Sequence, residues 1–113
     1  MEHAYFNWQD QQIVLDKNGY FQNVSDWHED MVPRLAEEEN IQLTEDHWLV
    51  IRFVRQFYLD YDTSPAIRAL VNAMKQSYGP EKGNSRYLQR LFPNGPAKQA
   101  TRLAGLPKPA KCL

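Results

Sequence analysis

Apolar positions in this chain first cluster with strand character and then recur with helical period. Ile13-Val14-Leu15, Asp16-Lys17-Asn18-Gly19 and Tyr20-Phe21 read as apolar run, turn, apolar run. Asn18-Gly19 supplies the positive φ of a tight hairpin. Beyond Ser25 or Asp26 as N-cap, Trp27, Met31 and Leu35 recur every fourth residue, which predicts a helix to about Glu39. Thr44 then caps a second helix. Its stripe is Trp48, Ile51, Val54 or Arg55, Tyr58 and Tyr61, widened by Phe53 and Phe57. Ser64 as N-cap and Pro65 at the first helical position open a third, with Ile67, Leu70, Val71 and Met74 on one face and Gly79-Pro80 as its stop. A short helix from Ser85 carries Tyr87, Leu88, Leu91 and Phe92. After Pro93-Asn94-Gly95-Pro96 a last helix runs from Ala97 to Ala104, stopped by Gly105. The fold class is α+β and mainly helical: an N-terminal hairpin on a small bundle containing a helix-turn-helix-like pair.

The end of the chain breaks this pattern. Leu106-Pro107-Lys108-Pro109-Ala110-Lys111-Cys112-Leu113 has prolines at alternate positions, which forbid helix and favour polyproline II. Eight residues at about 3.1 Å each reach roughly 25 Å. The expected organisation is one domain over residues 1–105 and a mobile arm over 106–113.

Composition narrows the class. With 113 residues, 42% hydrophobic and 24% charged, the chain is one small globular domain. No apolar run approaches the roughly 18–20 residues of a membrane span, and residues 1–5 lack the layout of a signal peptide. Both observations favour the cytoplasm without membrane contact, as does a single cysteine, which closes no internal disulfide. The formal charge of −1 conceals a gradient: −7 over residues 1–43, −1 over 44–81 and +7 over 82–113, where seven bases meet no acid. That basic third suits an anionic partner, whether nucleic acid or acidic protein. It equally suits a solvated face balanced by the acidic half.

Cys112 is the candidate for chemistry. A lone cysteine is usually a small buried hydrophobe, but this one follows a proline-spaced, lysine-bearing segment and precedes the last residue. Lys108 and Lys111 favour its thiolate, the nucleophilic form, while the terminal carboxylate opposes it. His3, His28 and His47 share no metal-ligand spacing with each other or with Cys112, so neither metal nor cofactor is expected. Lys82-Gly83-Asn84-Ser85 reads as a capped turn before it reads as an anion site. Residues 60–65, with Arg68 early in the following helix, have the layout of a DNA-binding helix-turn-helix. Residues 44–81 carry no positive surplus, which such binding needs.

Arg52-Phe53-Val54-Arg55, Thr63-Ser64-Pro65-Ala66-Ile67-Arg68, Lys82-Gly83-Asn84-Ser85-Arg86-Tyr87-Leu88 and Leu91-Phe92-Pro93 resemble the DsrC/TusE family. The run from Gly95-Pro96-Ala97-Lys98-Gln99-Ala100 to Gly105 and on through Lys111-Cys112-Leu113 is its most specific signature. The resemblance implies a hairpin on a helical bundle and a C-terminal arm with a reactive penultimate cysteine, here Cys112. It also implies a division of the family by a second cysteine eleven positions earlier, where this chain has Thr101. A one-cysteine arm cannot close the internal bridge of the sulfite reductase partner DsrC, so the resemblance points to the TusE branch. That branch implies a sulfurtransferase: Cys112 takes persulfide sulfur from a TusBCD-type donor and passes it to an MnmA-type tRNA thiolase making 2-thiouridine at the wobble position, with tRNA at most an indirect partner. Lys108, Lys111, Arg86, Arg90 and Lys98 are the expected partner or anion contacts.

Overall fold

The computed structural model describes residues 3–109. Strands β1 (Ala4–Trp8) and β2 (Gln11–Leu15) pair antiparallel with Phe6 opposite Ile13 and Ala4 opposite Leu15. Alternation puts Phe6, Ile13 and Leu15 on the core face and leaves Tyr5 and Val14 exposed. The hairpin therefore closes one strand earlier than expected. Its turn is Gln9-Asp10, with Gln9 rather than a glycine at φ 53°. The Asp16–Gly19 turn forms too. The Asp16 Oδ1 accepts from the backbone N–H of Asn18 and of Tyr20, both at 2.9 Å, and Gly19 sits at φ 91°. It closes only a single bridge, Leu15 to Phe21.

The expected helix from Trp27 to Glu39 is broken. Single 3-10 turns occupy Val24–Asp26 and Glu29–Met31, and α1 spans only Val32–Glu38. Neither Ser25 nor Asp26 caps it; Pro33, with no N–H to offer, sits in its first turn instead. Helix α2 (Glu45–Tyr61) starts at Thr44 as expected, and His47 completes the cap. The His47 Nδ1 accepts from the Thr44 N–H at 3.0 Å, so Nε2 carries the proton and donates to the Leu91 carbonyl at 2.8 Å. This histidine is a buried strut between two helices.

Helix α3 (Ile67–Tyr78) has Ala66 as N-cap, without a side-chain bond. Ser64, expected in that role, is buried and used elsewhere. Helix α4 (Ser85–Leu91) is capped by Asn84, whose Oδ1 accepts from the Tyr87 N–H at 2.8 Å. The turn before it is anchored by Lys82 Nζ on Asp46 at 3.0 Å, so its lysine and asparagine are both committed to structure. That hydrogen bond holds the Asp46 carboxyl below its ordinary range, while burial pushes the Tyr87 phenol up.

Helix α5 (Pro96–Leu103) packs against α1, α2, α3 and α4. Its Ala100 and Leu103 join Leu35, Ile51, Val54, Leu70, Met74, Leu88 and Phe92 in one core. Among the described residues no helix is long and apolar enough to cross a membrane.

Gly83 is where α3 and the α4 turn touch: a Cβ there would overlap the backbone of Lys75. Gly83→Ala is expected to lower unfolding stability by roughly 2–3 kcal/mol, since backbone cannot yield as a side chain can. Urea denaturation tests this, and an unchanged midpoint would refute it.

Candidate functional site

The chain leaves α5 through a fully satisfied helix end. Gly105, at φ 69°, donates its N–H to the Arg102 carbonyl at 3.1 Å, and the Leu106 N–H donates to the Thr101 carbonyl at 3.2 Å. This pair of bonds with a left-handed glycine is a Schellman motif. Two carbonyls remain, and long-range donors take both. Trp27 Nε1 donates to Leu103 O at 2.8 Å, and Arg55 Nη1 donates to Ala104 O at 2.8 Å. Arg55 Nη2 reaches Val24 O at 2.9 Å, and the guanidinium lies 4.2 Å from the Trp27 ring centroid. Burial lowers the Arg55 pKa, but a guanidinium remains protonated, and a cation at a helix C-terminus also complements its dipole.

This clamp sets the path of the chain beyond α5. Leu106 is fully buried, Ser64 Oγ donates to the Pro107 carbonyl at 3.2 Å, and Pro109 is buried again. Residues 106–109, assigned to the arm by their prolines, thus lie along the body. Lys108 points outward and is exposed. Lys111 and Cys112 lie outside the described residues.

Pro109 ends at a groove of about 850 Å³ between the starts of α3 and α5. Ile67, Ala69, Pro96 and Ala97 give it an apolar lining, and Arg68 and Lys98 supply charge. Gln89 connects it to a shallower hollow of about 420 Å³ flanked by Arg86 and Arg90. The structure therefore brings three of the expected contacts, Arg86, Arg90 and Lys98, to one side. Arg68, singled out only as a DNA-reading residue, joins them. The sequence places Arg55, Trp27 and Ser64 only on helix faces or at a cap, and their roles here escape it because their partners are backbone carbonyls distant in sequence. His3 and His28 are exposed, and neither lines the groove or the hollow beside it.

Thr101 is fully buried on α5, and its hydroxyl has no hydrogen-bond partner among the described residues. An unpaired buried hydroxyl opposes folding. Thr101→Val is therefore expected to leave stability unchanged or raise it by up to about 1 kcal/mol; a loss of that size in thermal unfolding would contradict it. Gly105→Ala is expected to cost about 3 kcal/mol. Its Cβ would enter the Trp27 indole at a positive φ, so the Trp27 fluorescence should shift along with the unfolding midpoint.

Comparison with known proteins accords with this geometry. The model of the family described as DsrC like protein matches residues 7–113. Sulfurtransferase TusE of Yersinia pseudotuberculosis is 66% identical over 101 residues, 89% of this chain and 94% of that relative. Sulfurtransferase TusE of Escherichia coli K12 is 59% identical over 102 residues, 90% of this chain and 94% of that relative. Among solved structures, DsrC of Allochromatium vinosum superposes with a TM-score of 0.87 at 44% identity, covering 99% of this chain and 100% of that one. The oxidised γ-subunit of dissimilatory sulfite reductase, DsrC of Archaeoglobus fulgidus, gives 0.83 at 36%, with 97% and 100% covered. The chain belongs to the DsrC-like protein family, and within it to the TusE sulfurtransferases.

Proposed function

We propose that Cys112 is a persulfide carrier in a cytoplasmic sulfur relay, loaded by a TusBCD-type complex and unloaded on an MnmA-type tRNA thiolase for wobble 2-thiouridine. The observation that carries this reading is the similarity to TusE sulfurtransferases across about nine-tenths of the chain, which has a single cysteine and a threonine at position 101. A protein with one thiol can accept and pass sulfur but cannot close a disulfide within itself.

The chemistry is thiol exchange. The Cys112 thiolate attacks the outer sulfur of a donor cysteine persulfide; the donor's S–S bond breaks, and the donor leaves as a thiolate. Cys112 then carries the outer sulfur as its own persulfide. No electrons are gained or lost overall, so the exchange needs no cofactor. In the second step the carried sulfur goes to a cysteine of the acceptor by the same exchange, and the Cys112 thiolate is regenerated.

Incubation with a sulfur-loaded TusBCD-type complex is expected to add the mass of one sulfur to the intact protein. Cys112→Ser should abolish that addition. Failure of the wild-type chain to load would sink the reading. Co-purification with a sulfite reductase instead would favour a DsrC-like accessory role.

A further inference from the structure

We propose that the groove between α3 and α5 is the docking site of the sulfur-exchange partner, and that it takes an acidic segment of that protein carrying an apolar side chain. The inference rests on the relay reading and adds the surface and the chemistry of recognition.

The charges single out this place. Elsewhere in the described residues the buried or paired arginines and Lys82 are committed, while Lys17, Lys75 and Lys108 stand singly: Arg52 pairs with Glu29 at 2.9 Å, Lys82 with Asp46 at 3.0 Å, and Arg102 with Glu39 at 2.7 Å and Glu38 at 2.8 Å. Arg55 is held by two carbonyls and an indole. Arg68 and Lys98 stand at the groove and make no ion pair among the described residues, and the same is true of Arg86 and Arg90 beside it. No acidic residue lines the groove. The starts of α3 and α5 both border it, and neither is capped by a side chain, whereas α2 and α4 are. Their dipoles add to the positive potential.

The lining decides between kinds of anion. Ile67 is 40% exposed, and with Ala69, Pro96, Ala97 and Pro109 it makes an apolar floor. A phosphate backbone uses cations and gains nothing from such a floor. A protein segment with one apolar anchor among carboxylates uses both. Position favours the same surface. Pro109 forms part of the wall, and Cys112 is three residues on, at most about 10 Å along an extended chain. A partner seated in the groove is therefore within reach of the thiol.

The test is the rate of sulfur loading of the full chain by a persulfidated TusBCD-type complex, read by intact mass over a range of donor concentrations. Arg68→Glu with Lys98→Glu is expected to raise KM at least tenfold with kcat little changed. Loading by glutathione persulfide, which needs no docking, should stay at the wild-type rate. Lys17→Glu with Lys75→Glu makes the same change of net charge away from the groove and should leave KM as it was. A wild-type KM in the groove variant would overturn the proposal. So would an equal loss with glutathione persulfide, or weakened tRNA binding with KM intact, which would assign the groove to nucleic acid. If the wild-type chain itself does not load from the complex, the relay reading falls and this proposal with it.

Discussion

The structure turns on the burial of α5, a helix of eight residues packed against all four other helices. A helix so short has few internal bonds for the polar ends it must hide. Partners from distant parts of the chain meet that demand. Gln99 links the Asn94 N–H to Glu39, and Arg102 joins Gly19, Glu38 and Glu39. Trp27 and Arg55 close the far end. The N-terminal turn, the end of α1, the 3-10 turn at Val24 and the middle of α2 are thereby located relative to one helix. Removing one partner would leave partly buried polar groups unpaired, a cost that can exceed what the bond itself contributes.

The same network divides the bases into two populations. Arg102 and Lys82 belong to the basic third of the sequence, yet both are paired with carboxylates from earlier in the chain. For these two the charge gradient reflects intramolecular pairing. Arg86, Arg90 and Lys98 have no such partner among the described residues. Only the structure separates the groups, because a count of charges along the chain treats a structural arginine and an available one alike.

Much of the helical layout was legible because it is local. Thr44, Gly79 and Gly105 mark helix ends through their own backbone chemistry, and the stripe from Trp48 to Tyr61 follows a simple period. What failed was also physical. Asn18-Gly19 is a strong turn signal and does form a turn, but Gln9 takes a left-handed conformation that its residue type does not announce. The Trp27–Leu35 spacing mimics a helix because Trp27 is directed to a carbonyl of α5 rather than to a neighbouring turn. Ser64 looked like a cap and instead holds Pro107, 43 residues away. Cys112, the proposed carrier, stands out in the sequence by its uniqueness and its flanking residues. The clamp does not, since hydrogen bonds to carbonyls leave no pattern in residue type.

The anchoring of Leu106, Pro107 and Pro109 changes the mechanics of the terminal thiol. A tether of eight free residues would spread Cys112 through a sphere of roughly 25 Å radius. With the chain fixed as far as Pro109, only three residues of backbone, at most about 10 Å when extended, separate a defined point on the body from Cys112. Volume falls with the cube of radius, so the effective concentration presented to a bound partner is more than about tenfold higher. On the proposed relay reading the short tether is also a filter: a donor that cannot approach that point remains out of range.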